Sequence, residues 1–194
     1  MLPFHFYLKL GFEHISNLAG YDHIMFLVAL CAVYNVSQWR HVLILVTAFT
    51  IGHSVTLSLA TFDILTIPSA IIKFLIPVTI FLTALNNVVS PPPDTTSPKI
   101  RRNYFMALFF GFIHGMDFSN YFKALIGEFG SIFQPLLAFN LGIELGQILV
   151  VIGIFILAFV ALTLLRFKPR EWNLFISGAA AGMSLISMIE NRFW

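Results

Sequence analysis

Seven ionisable residues lie inside or beside apolar runs of an otherwise oily chain: His14, Asp22, His23, His53, His114, Asp117 and Glu144. An ionisable group at bilayer depth costs about 3 kcal/mol or more, and it persists there when it pairs, lines a polar cavity or binds an ion. Imidazole nitrogens with carboxylate oxygens form the donor set of a divalent transition-metal site, suited to Ni²⁺, Co²⁺ or Zn²⁺. The one cysteine, Cys31, excludes a multi-cysteine metal site and any disulfide within the chain. Without paired cysteines or well-placed methionines, Cu(I) is disfavoured.

Spacing sharpens this set. His114 and Asp117 stand at i and i+3 on one helix face, and Asn140, Glu144 and Gln147 at i, i+4 and i+7. The second group is a polar stripe on an apolar helix, which should face the bundle interior or a polar cavity. His14 and Asp22 share a face of an unbroken helix, although Gly20 is placed to break it. Each residue has an ordinary alternative. Asp22 suits an N-cap. His53, His114 and Glu144 suit interhelical hydrogen bonds, Asn140 and Gln147 bundle glue, and Ser54 routine helix packing. Gly178 and Gly182 make a small-residue face that predicts close helix packing.

The elements that must position these groups are membrane helices. The 194 residues are 58% hydrophobic and 10% charged, against roughly 25% charged in soluble domains. The fold class is therefore all-α, a polytopic transmembrane helix bundle forming a single domain over 1–194. A net charge of +2 carries no nucleic-acid signal, and the lipid bilayer is the expected partner. Six crossings are expected, within 21–36, 42–62, 67–89, 104–121, 132–165 and 172–189, with a seventh left open. The first is short and is extended by an amphipathic N-terminal helix over 4–18, read as interfacial or re-entrant. The fifth is long for one crossing and is expected to tilt, project or break near Gly142 and Gly146. The Pro-rich stretch 90–102 reads as a loop. No cleaved signal peptide is expected.

With six crossings, one side receives Arg40, Lys99, Arg101, Arg102, Arg166, Lys168 and Arg170, and the other Lys9, Lys123 and Arg192. The positive-inside rule then puts both termini in the periplasm of a bacterial inner membrane. The same topology brings polar groups of four helices to the outer half of the bilayer, which points to one site.

The motifs resemble those of the HupE/UreJ family of bacterial membrane proteins. Gly11-Phe12-Glu13-His14 with Gly20-Tyr21-Asp22-His23 resembles its opening, and Phe49-Thr50-Ile51-Gly52-His53-Ser54 its second block. Phe110-Gly111-Phe112-Ile113-His114-Gly115 resembles its third, and Phe139-Asn140-Leu141-Gly142-Ile143-Glu144-Leu145-Gly146-Gln147 its fourth. The resemblance implies a nickel or cobalt permease, and it carries His14, Asp22, His23, His53, His114, Asn140, Glu144 and Gln147 over as site residues. The interval from His14 to Asp22 is longer than the family's usual one, and Asp117 stands where the family has a small residue.

Three functions are compatible with these residues. The leading one is a divalent transition-metal permease or binding protein, with His14, Asp22 and His23 as an outer access site and His53, His114 and Glu144 as an intramembrane site. Ser54, Asp117, Asn140 and Gln147 would be its supporting polar shell. The second is an intramembrane zinc hydrolase acting on a lipid or membrane peptide, with Asp22 or Glu144 as general base. The third is a structural subunit, as a homo-oligomer or within a larger envelope complex. Toward the cytoplasm only Thr47, Asn86 and Asn87 stand out as path residues.

Overall fold

The computed structural model describes residues 2–18, 20–89, 98–126 and 132–194. Among these residues every regular element is helical. The chain forms α1 (Phe4–Ser16), α2 (Asp22–Cys31), a 3₁₀ turn (Val36–Gln38), α3 (Trp39–Thr61) and α4 (Ser69–Val89). It continues as α5 (Pro98–Asp117), α6 (Ser119–Ile126), α7 (Phe133–Phe159), a π-helical turn (Val160–Leu164) and α8 (Pro169–Glu190).

Local chemistry explains several ends. The Gln38 side chain accepts from the Asn35 backbone N–H and starts the 3₁₀ turn, and Glu171 does the same for Lys168 ahead of Pro169 at the start of α8. Asp63 and Arg166 take positive φ just after α3 and after the π turn of α7, which stops both helices.

Four helices are long and apolar enough to cross a bilayer by length and composition: Val36–Thr61, Ser69–Val89, Phe133–Leu164 and Pro169–Glu190. One side of α7 carries Leu137, Leu141, Leu145, Leu149, Ile152 and Ile156, all exposed at helical spacing. Such a stripe suits lipid, and the opposite side carries Gly142 and Gly146 against α1.

Several expectations are refined. Residues 132–165 hold no break at Gly142 or Gly146, because these glycines let α1 approach rather than bend the helix. The expected crossing 104–121 is interrupted at Phe118, between α5 and α6. The expected loop 90–102 ends sooner, because α5 begins at Pro98; residues 90–97 lie outside the described ones. The N-terminal helix packs into the bundle, with Tyr7, Gly11 and Ile15 buried. Gly178 and Gly182 are exposed, and among the described residues nothing lies within 4 Å of where their side chains would be, so they mediate no close packing there.

Pairwise contacts fix the helix directions. α2 runs against α5, since His23 lies by His114, Phe26 by Phe110 and Tyr34 by Asn103. α4 runs against α5, through Thr79 with His114 and Asn86 with Arg102. α4 also runs against α8, since Asn87 meets Asn173 while Phe74 meets Phe193. α6 continues α5 along α3, from Gly115 beside Thr56 to Lys123 paired with Asp63. α1 opposes α6, through His14 with Phe118 and Tyr7 with Phe122.

Two helix pairs repeat one another. A Cβ on Gly11 of α1 would overlap the Phe139 carbonyl oxygen of α7, and a Cβ on Gly111 of α5 would overlap the Phe49 carbonyl oxygen of α3. Reciprocally, Gly142 meets the Leu8 carbonyl and Gly52 the Leu108 carbonyl. Both pairs are parallel, and their sequences match: Gly11-Phe12-Glu13-His14 with Gly111-Phe112-Ile113-His114, and Ala48-Phe49-Thr50-Ile51-Gly52 with Ala138-Phe139-Asn140-Leu141-Gly142. Because α1 opposes α5, the halves α1–α4 and α5–α8 run in opposite senses. Small residues permit this closeness, which in lipid is held by van der Waals packing.

Candidate metal centre

The close helix pairs put histidines where the two halves meet. Gly11 seats α1 on α7 and carries His14 one turn further on; Gly111 does the same for His114. His23 opens α2 after the break, and His53 follows Gly52 on α3. Ring centroids lie 4.6 Å apart for His14 and His23, 5.9 Å for His14 and His53, and 5.2 Å for His23 and His114. The nitrogens that His14, His23 and His53 can offer all lie within 4.8 Å of one another. Bonds to a shared ion of ~2.0–2.1 Å allow a separation of about 4 Å at most, so binding asks for a closure of about 1 Å.

The hydrogen-bond inventory suits an ion here. His53 and His114 are fully buried and His23 is 8% exposed. Nε2 of His14 and of His23, both nitrogens of His53, and Nδ1 of His114 are buried without a partner among the described residues. Leaving such groups unpaired costs roughly 1–3 kcal/mol each. Phe118, Phe139, Phe49 and Phe26 wall the rings, so water has little room to satisfy them.

His114 carries one further constraint. Thr79 Oγ1 lies 3.1 Å from His114 Nε2 and donates its only proton to the Ile76 carbonyl at 2.7 Å. With that proton given to Ile76, the arrangement favours the imidazole as donor to Thr79, with the hydrogen on Nε2 and a lone pair on Nδ1. Sequence reading missed Thr79. Its signal was the spacing of Thr79, Thr83 and Asn87, a buried polar stripe on α4 at i, i+4 and i+8.

The two sites expected from sequence meet in one cluster, since His14 and His23 come together with His53. Asp22 is half-buried at the start of α2, and Asp117 is exposed at the end of α5. These two carboxylates are electrostatic neighbours, with Lys73 near Asp117. Glu144 lies outside the close-set group; its carboxylate accepts a hydrogen bond from Thr47 at 2.6 Å. Gln147 accepts from Thr50 at 2.7 Å. These bonds tie α7 to α3 and set the rotation that points His53 inward. Asn140 donates to the Leu136 carbonyl and buries an unpartnered Oδ1, while Ser54 donates back to the Thr50 carbonyl.

The sequence model of the family described as HupE / UreJ protein matches residues 2–192. No curated protein and no solved structure matches the chain.

Proposed function

The chain belongs to the HupE/UreJ family, and on that premise we propose that it is a permease for a divalent transition-metal cation, nickel or cobalt. Family membership makes it a membrane protein tied to these metals. One observation carries the transport reading: four imidazoles from four helices converge where two oppositely running halves meet, and each keeps at least one buried nitrogen with no partner among the described residues. Secondary transporters built from inverted repeats bind their cargo at that kind of place, between broken helices.

In this reading α1 with α2 and α5 with α6 are broken crossings, which with α3, α4, α7 and α8 make six. The Lys and Arg distribution supports both termini lying in the periplasm of a bacterial inner membrane. Asp22 and Asp117 attract the cation. His14, His23 and His53 bind it, and His114 adds Nδ1 in the tautomer that Thr79 selects. Neutral imidazoles with no thiolate suit Ni²⁺ and Co²⁺, and they hold a divalent ion less tightly than an anionic cage would. Glu144 and Gln147 hold α3 in register beside the ion.

The test is uptake of radioactive nickel by proteoliposomes containing the purified protein. The wild type should accumulate nickel and His53→Ala should not. Equal uptake by the two would reject the reading.

A further inference from the structure

A small cavity of about 20 Å³ lies beyond the imidazole cluster, toward the C-terminal end of α4. It shares the Phe26 ring with the cluster, since Phe26 lines the cavity and stands 5.5 Å from the His114 ring. Its polar lining is Tyr34, Thr83, Asn86, Asn87 and Asn103. The volume suits one water-sized occupant.

Three of the side chains around it spend protons elsewhere. Thr83 gives its hydroxyl proton to the Thr79 carbonyl at 2.9 Å. Asn87 spends amide protons on the Ala29 carbonyl at 2.6 Å and on Ser177 Oγ at 3.3 Å. Asn103 donates to the Tyr34 hydroxyl at 3.0 Å, and its Oδ1 is buried with no partner among the described residues. The lining thus offers oxygen lone pairs of Thr83, Asn103 and Tyr34, the last keeping its own hydroxyl proton. A wall of that kind attracts a cation, or a water that donates both protons. Thr79 connects the two places: its hydroxyl meets His114, and its carbonyl holds Thr83 one turn further on.

We infer that this cavity is a second, oxygen-lined station through which the cargo cation leaves the imidazole cluster. The inference rests on the permease reading above. Neutral oxygens bind Ni²⁺ and Co²⁺ more weakly than imidazoles do. Arg102, bonded to Asn86 Oδ1 at 2.8 Å, adds a fixed positive charge at the rim. An ion held there is therefore readily released, and a conducting path needs sites weak enough to leave.

The experiment compares the wild type with Thr83→Val, Asn103→Leu and Thr83→Ser, reading two quantities on each: nickel bound per chain at equilibrium, and the initial rate of nickel uptake into proteoliposomes. Thr83→Val and Asn103→Leu should bind nickel as the wild type does yet take it up about tenfold more slowly or worse. Thr83→Ser, which keeps the oxygen, should restore the rate. Wild-type uptake in both Thr83→Val and Asn103→Leu would overturn the inference and leave a structural water in the cavity, with the permease reading intact. Loss of equilibrium binding in Thr83→Val would also overturn it, by making the cavity a support of the cluster. Thr83→Val, close to threonine in shape, decides the matter if Asn103→Leu does not fold. A wild type that neither binds nor transports nickel fails the permease reading itself, and the station with it.

Discussion

Thr79 Oγ1 and His114 Nε2 lie 3.1 Å apart, and with the threonine hydroxyl 2.7 Å from the Ile76 carbonyl the geometry favours the imidazole as donor. A hydroxyl on one half of the molecule thereby sets which nitrogen of a histidine on the other half faces the cluster. Partners of this kind orient metal-binding histidines, and their loss typically costs about 10–100-fold in affinity. Thr79→Val should weaken nickel binding by about that factor while leaving thermal stability near the wild type. Thr79→Ser should restore the affinity. Nickel titration of the purified variants checks both.

The matched glycines set the second expectation. A methyl group on Gly11 or Gly111 would overlap a facing backbone carbonyl that cannot move alone. Gly11→Ala and Gly111→Ala should each destabilise the protein by about 1–3 kcal/mol or more. Gly178→Ala, where the added methyl meets nothing within 4 Å, should be near neutral. Thermal unfolding in detergent would show the contrast.

Asp22 and Asp117 bear on how the cation arrives. Neutralising either, as Asp22→Asn or Asp117→Asn, removes a negative charge beside the cluster and no imidazole. The half-saturating nickel concentration for uptake should rise, the number of ions bound per chain should not change, and the difference should shrink with added salt. A drop in stoichiometry would instead make the altered carboxylate a direct ligand.

Glu144 is engaged with Thr47, six residues before His53 and so about 9 Å along α3. Glu144→Gln keeps an oxygen that can accept from Thr47, so nickel binding should survive it. Glu144→Leu, which cannot accept, should loosen α7 from α3 and lower stability by about 1–3 kcal/mol. Binding isotherms and melting curves on the pair separate a helix-positioning role from direct ligation.

Part of the candidate site was legible in the sequence: histidines inside apolar runs are costly unless they pair or bind an ion, and His14, His23 and His53 do come together while Glu144 does not join them. Periodicity put Asn140, Glu144 and Gln147 on one face of α7, but a face does not name its neighbour, and that neighbour is the Thr47 and Thr50 side of α3. Thr79 escaped notice because a threonine in a membrane helix usually bonds its own backbone, as this one also does. The duplicated Gly-Phe-x-His blocks at 11–14 and 111–114 were readable, but their meaning needed the parallel pairing of α1 with α7 and of α3 with α5. The interruption at Phe118 itself carries neither glycine nor proline; its sequence signal was Asp117, which as an ordinary alternative begins a loop, followed by Ser119 and Asn120.

Metal content tests the central claim most directly. The purified protein should be loaded with nickel, freed of excess ion and weighed by native mass spectrometry beside a His53→Ala/His114→Ala variant. The wild type should bind an ion that chelator removes and reloading restores, and the variant should bind none. A wild type that takes up no nickel, cobalt or zinc under any loading condition, or a variant that binds as the wild type does, would contradict it.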